Sequence, residues 1–192
     1  MNAVATIGLD IAKEVFQVHG ADADGVTLFN RRLRRAELMQ FFENLPRCLV
    51  GLEASSTAHY WARSITSLGH EVRLIPAQYV KPFVKRGKTD ANDAEAINEA
   101  LTRKTMRFVP VKTADQQAAA LIFRARDLLV RQRTQTINAL RGHLAEFGFT
   151  ARPRTDSLKT LFAIVRDQTE NRLPAAARSV LEQPMTKLRD GS

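Results

Sequence analysis

The chain has 192 residues, 44% of them hydrophobic and 26% charged, which suits one ordinary folded core and excludes an intrinsically disordered chain. No apolar run approaches the ~20 residues of a membrane span, and a carboxylate at position 10 interrupts any signal-peptide pattern. The single cysteine, Cys48, excludes an intrachain disulfide framework, so the sequence predicts a cytoplasmic protein with a buried core thiol.

The formal net charge of +9 predicts a polyanionic partner, most commonly nucleic acid; a merely basic surface is the alternative. The positive charge is clustered. Arg31, Arg32, Arg34 and Arg35 form one group, and Lys81, Lys85, Arg86 and Lys88 form another, directly before a pair of acids.

Val4 to Lys13 is a short β-branched apolar stretch that carries one carboxylate, Asp10. An acid in a strand that wants burial is costly unless something pairs with it, and a divalent metal is one such partner. Glu14 to His19 alternates, Asp22-Ala23-Asp24-Gly25 is a turn, and Val26 to Leu33 is again strand-like, which predicts consecutive antiparallel strands. Leu38, Phe41, Phe42 and Leu45 have helical spacing, and Pro46 stops that helix. A buried-type strand follows over Arg47–Leu52, with Glu53 at its end. Ser55-Ser56-Thr57 is expected to cap a helix running to about Leu68 and ending at Gly69. Val72–Ile75 is the next strand, closed by Pro76. Gln78 to Val84 is a short apolar-basic segment. Gly87 breaks the chain, and Thr89 or Asp90 opens a helix to about Arg103. A long helix is predicted from Thr113 to about Phe147, ended by Gly148, with two weaker helices over Ser157–Val165 and from Pro174.

Four acids stand out. Asp10 lies in the first strand and Glu53 at the end of a later one, while Asp90 and Asp93 share one face at a helix start. The element order predicts an α/β, ribonuclease-H-like (RuvC-like) mixed sheet with flanking helices, followed by a long helix and a short helical tail. In such a sheet the first strand lies beside the strand after the first helix, which puts Glu53 next to Asp10. Clustered carboxylates need cations, and hard oxygen ligands suit Mg²⁺ or Mn²⁺. Two such ions about 4 Å apart serve phosphodiester cleavage. Lys13, Lys85, Arg86 and Lys88 are the candidate phosphate contacts. Taken singly, each acid has a plainer reading: Asp93 a solvated helix-start acid, Asp90 a cap, Glu53 a strand-end acid, and Asp10 a partner of Lys13.

Gly8-Leu9-Asp10-Ile11-Ala12-Lys13, Leu52-Glu53-Ala54-Ser55 and Lys88-Thr89-Asp90-Ala91-Asn92-Asp93-Ala94 resemble the motifs of the DEDD-type insertion-sequence transposases, which include the Piv-type DNA invertases. Their catalytic domain is similar to the RuvC Holliday-junction resolvases. The likeness covers roughly residues 3 to 150. It implies that Asp10, Glu53, Asp90 and Asp93 form a metal-binding tetrad for DNA recombination. It also implies guidance by a structured RNA from the element, and a coiled-coil region after the catalytic domain. Residues 113–147 fit that last role and predict a homo-oligomer. Leu121, Ala125 and Leu128 are spaced by four and three, as are Ile137, Leu140, Leu144 and Phe147. A helix packed within its own chain is the alternative.

The expected organisation is a catalytic domain over 1–112, the long helix over 113–149, and over 150–192 the start of a C-terminal domain that family members complete with a serine nucleophile. Neither Ser179 nor Ser192 fits that role, so the sequence reads as a fragment or truncated gene product, incomplete for strand exchange. Two other classes compete. One is a non-catalytic nucleic-acid-binding or dimerisation fragment. The other is an actin-like sugar kinase or ATPase, whose first strand also carries Gly-Leu-Asp-Ile but which needs a second phosphate-binding loop not found here. His19, His59, His70 and His143 lack metal-ligand spacing, and Tyr60 and Trp61 read as packing residues.

Overall fold

The computed structural model describes residues 3–85, 89–150 and 157–190. Five strands form one mixed sheet: β1 (Thr6–Asp10), β2 (Val15–Ala21), β3 (Thr27–Arg34), β4 (Leu49–Glu53) and β5 (Glu71–Ile75), in the order β3-β2-β1-β4-β5. The β1–β2 and β2–β3 pairs are antiparallel, and β1–β4 and β4–β5 are parallel. This is the ribonuclease-H-like layer that the element order predicts. The β2–β3 connection turns where Asp22 Oδ1 accepts from the backbone N–H groups of Asp24 (3.0 Å) and Val26 (2.9 Å).

Alternation along each strand gives the sheet two unlike faces. Ile7, Leu9, Phe16, Val18, Val50 and Leu52 form the main core with α1 (Leu38–Glu43) and α2 (Ala58–Ser67). Phe42, Trp61 and Ile65 are the large helix contributions, and the Phe16 and Trp61 rings meet edge-on at 5.1 Å. Cys48 is buried as expected, its Sγ 3.4 Å from His70 Nδ1, and burial pushes its thiol up to about 11.

The opposite face carries Gly8, Asp10, Gln17, His19, Gly51 and Glu53, and it receives α4 (Asp90–Leu101). Here the glycines decide the geometry. A Cβ on Gly8 would stand 2.1 Å from the Ala94 carbonyl oxygen and 2.6 Å from the Asn98 nitrogen. At Gly51 it would stand 3.1 Å from the Leu101 side chain. Paired side by side across β1 and β4, these two residues form a trough for the helix. Ile97, Ala100 and Leu101 then close a smaller core with Ile75 and with Val80 of the single-turn α3 (Ala77–Val80).

Two local expectations differ from the structure. The helix expected from the spacing of Leu38, Phe41, Phe42 and Leu45 is preceded by a 3-10 turn, Arg35–Glu37, and α1 ends at Glu43. Thr57 does sit at the start of α2, but with left-handed backbone (φ +68°) and no side-chain capping bond. The Ser55 N–H instead donates to the Glu53 carbonyl at 2.8 Å, so Ser55-Ser56-Thr57 turns the chain sharply off β4. Thr89 does cap α4, its hydroxyl accepting from the Asn92 N–H at 3.3 Å.

The chain divides into two compact units at Gln117/Ala118, just inside α5 (Ala114–Ala145). The second unit has its own core, built by Leu140 and Leu144 of α5, Leu161 and Val165 of α6 (Ser157–Arg166), and Leu181 and Met185 of α7 (Ala175–Asp190). Arg178 is buried there and donates to the carbonyls of Val165, at the open end of α6, and of Glu170 and Leu173 in the loop beyond it. Half of the anticipated α5 seam is therefore consumed within the chain. Leu140 and Leu144 are buried, with Ile137 and Phe147 packed beside them, whereas Leu121 (65%) and Leu128 (55%) stay exposed. Among the described residues no helix is long and apolar enough to cross a membrane.

Gly8→Ala should destabilise the first unit by more than about 2 kcal/mol, because backbone rather than a movable side chain blocks the new methyl. Gly51→Ala meets only the Leu101 side chain and should cost visibly less. Urea unfolding of both variants measures the difference.

Candidate functional site

Asp10 ends β1 and Glu53 ends β4. The parallel register pairs Leu9 with Leu52, so one step further the two acids are neighbours on the α4 side of the sheet. Helix α4 runs back along β1, with Ala94 and Asn98 over Gly8. Its first turn, carrying Asp90 and Asp93, therefore lies toward the Asp10 end of the strand. Acids at a helix N-terminus are favoured by the helix dipole, which explains their placement there.

The charge of this corner is legible at Asp10. Its carboxyl is raised from 3.8 to about 6, first by burial and then by the negative charges of Asp93, Asp90 and Glu53; the Ile11 N–H hydrogen bond opposes the rise. All four acids are thus within electrostatic reach of one point. They do not form a finished cage: among the described residues no group of three or more His, Cys, Asp or Glu stands ready to hold a metal ion. The donor set is all carboxylate oxygen, the set that hard divalent cations take, and a cation is what a half-buried, mutually repelling group of acids calls for.

A polar row from the neighbouring strands reaches the same corner. Asp10 pairs with Gln17 and Gln17 with Arg32, one row across β1, β2 and β3. Gln17 Nε2 donates to Asn30 Oδ1 at 2.5 Å, and Asn30 Nδ2 donates to the Ala91 carbonyl at 3.3 Å. Arg32 Nη2 meets Asp90 Oδ2 at 2.8 Å. Sequence reasoning gives Gln17 and Asn30 no role and counts Arg32 only as part of a basic cluster. The available sign is that Gln17 and His19 are polar residues in a mostly apolar strand, and both are buried.

The candidate phosphate contacts are dispersed. Lys13 is exposed just after β1. Lys85 is held by Glu95 (Nζ to Oε1, 2.6 Å), which keeps its ammonium above its ordinary value. Arg86 and Lys88 lie outside the described residues. The other arginines of the first cluster are engaged on rings or acids. Arg31 lies over Phe41 at 4.6 Å and Arg35 over Trp61 at 4.9 Å, while Arg34 pairs with Glu37.

Comparison with known proteins follows the same residues. Residues 7–149 match the IS110-type DEDD family model, described as a transposase. The chain is 54% identical over 151 residues to a Pseudomonas aeruginosa protein named "Probable family 20 transposase", covering 79% of this chain and 45% of that protein. It is 42% identical over 170 residues to the transposase for insertion sequence element IS1328 of Yersinia enterocolitica, covering 88% and 51%. With the transposase for IS1111A of Coxiella burnetii it shares 43% over 150 residues, covering 78% and 41%. The chain thus spans about half or less of the length of these curated relatives.

The raised Asp10 carboxyl fixes the sign of a pH effect. Between its ordinary value of 3.8 and about 6 the folded chain holds more protons than the unfolded one, so stability falls as pH rises through that window. In buffer free of divalent ions, Asp10→Asn should melt above the parent near pH 8. The gap should narrow from about pH 6 downward and vanish below about pH 4. Melting temperatures across that range check it.

Proposed function

The chain belongs to the IS110-type DEDD transposase family, and from that membership we propose that its first unit is the metal-dependent catalytic part of a DNA recombinase active in the cytoplasm. The observation that carries this reading is the charge on Asp10, which Asp93, Asp90 and Glu53 crowd from two other elements. Acids without a shared role gain nothing from such mutual repulsion, and this supports the reading.

In this reading Asp10, Glu53, Asp90 and Asp93 hold Mg²⁺ or Mn²⁺, two ions being the expected number. When bound, the ions supply an activated oxygen nucleophile and stabilise the leaving oxygen at a DNA phosphodiester. The chain's own residues then have distinct tasks. Asp10 and Glu53 end paired strands, so their positions are fixed by the sheet. Asp90 and Asp93 come from a helix start and adjust to the ions. Lys13, Lys85, Arg86 and Lys88 neutralise backbone phosphates beside them. A structured guide RNA is a further proposed partner, on family resemblance alone.

A homo-oligomer formed through α5 belongs to the same proposal. Its support is the exposed apolar run Leu121, Ile122, Phe123, Leu128, Leu129 and Val130, each at least 49% exposed. Contiguous apolar surface of that kind marks an interaction site.

Mg²⁺ at tenfold excess over its dissociation constant should raise the melting temperature of the parent by about 3–6 °C. Asp10→Asn, Glu53→Gln and Asp93→Asn should each lose that rise, together with any Mn²⁺-dependent cleavage of DNA. A parent that melts identically with and without Mg²⁺ would refute the metal reading. Separately, Leu121→Glu combined with Leu128→Glu should convert the chain to a monomer in sedimentation while leaving the Mg²⁺ response intact. An unchanged sedimentation profile would refute the α5 interface.

A further inference from the structure

Arg32 and the start of α4 carry an inference that rests on the metal reading above. Arg32 stands in one row with Gln17 and Asp10 across three adjacent strands, two strand spacings (about 10 Å) from Asp10. Its guanidinium holds Asp90 at 2.8 Å, and both side chains are well exposed, at 70% and 56%. Such an ion pair is weak and exchanges readily. It is also not what docks the helix. Asn30 already ties the backbone of α4's first turn to β3 through the Ala91 carbonyl, and Gly8 admits the helix against β1. The Asp90 side chain can therefore change partner while its backbone stays where it is. The same acid is one of those that bear on Asp10, yet the carboxylates do not close into a cage.

We infer that Arg32 and a divalent cation are alternative partners of Asp90: the guanidinium holds this carboxylate when no ion is bound, and an entering ion must displace it. Arg32 is then a positioning residue that sets how tightly the site takes metal. It holds Asp90 at the rim, from where this acid still bears on Asp10. Displacement also frees a guanidinium on the sheet face where the acids gather.

The test is Mn²⁺ titration calorimetry on the full chain at low salt. Arg32→Ala should bind Mn²⁺ about two- to fivefold more tightly than the parent. Arg34→Ala removes a like charge from the same strand, but one that pairs with Glu37, and should give less than half that gain. In an Asp90→Asn background Arg32→Ala should have no effect, since the contact it removes is already gone. Should Arg32→Ala disturb folding, as judged by its melt, Arg32→Gln removes the charge while keeping polar bulk and should show the same gain. A gain no larger than that of Arg34→Ala, a gain that persists in the Asp90→Asn background, or weaker binding overturns the inference and leaves the metal reading standing. Failure of the parent to bind Mn²⁺ at all overturns both.

Discussion

The close seating of α4 on β1 governs this fold. A helix normally keeps its distance from a sheet by the thickness of the intervening side chains. Gly8 and Gly51 remove that thickness at two adjacent points, and the Ala94 carbonyl comes within 2.1 Å of where a Cβ would be. With the helix pinned there, its first turn has nowhere to go but over the ends of β1 and β4. Backbone packing carries Asp90 and Asp93 toward the Asp10 end of the sheet, and their charges raise its carboxyl.

That opposition has a direction. The strand acids cannot retreat, because Asp10 and Glu53 belong to the parallel pair at the centre of the sheet. The helix acids can, because they sit at an end with solvent on one side. The relief is accordingly uneven. Asp10 absorbs the strain as a raised carboxyl, while Asp90 turns outward to Arg32. This arrangement combines two acids fixed by the sheet with two at a helix end. Its cost in stability is confined to the pH range where Asp10 is ionised.

Much of this was legible in the sequence, for identifiable reasons. The β1–β2–β3 meander and the parallel return of β4 follow from alternation, the Asp22–Gly25 turn and the helix between them. The neighbourhood of Asp10 and Glu53 then follows from topology alone. The start of α4 was also readable, because Thr89 is a capping residue and its hydroxyl takes up the Asn92 N–H. Thr57 differs: residue type suggests a cap, but at the tight exit from β4 its backbone is left-handed and its side chain makes no capping bond. Gln17, Asn30 and Arg32 were illegible as a set because their link depends on the β2–β3 register, which polar residues specify only weakly. The independent core of residues 137–188 was missed because its apolar positions are spread over three short patterns, none of which suffices by itself.

Helix α5 shows how one periodicity can serve two purposes. Leu121/Leu128, Ile122/Leu129 and Phe123/Val130 are three parallel i,i+7 rows, all exposed. At 100° per residue they subtend about 200° of the helix surface, far wider than the stripe of a two-stranded seam. Further along the same helix the pattern narrows to Ile137, Leu140 and Leu144, a single stripe, and that stripe is satisfied by α6 and α7. Only the later part of the coiled-coil spacing thus lies where the chain covers itself; Leu121 and Leu128 of the earlier part stay exposed. Where the helix is bare, its apolar arc is broader than a lone facing helix could cover, which would leave a third or more of it in water.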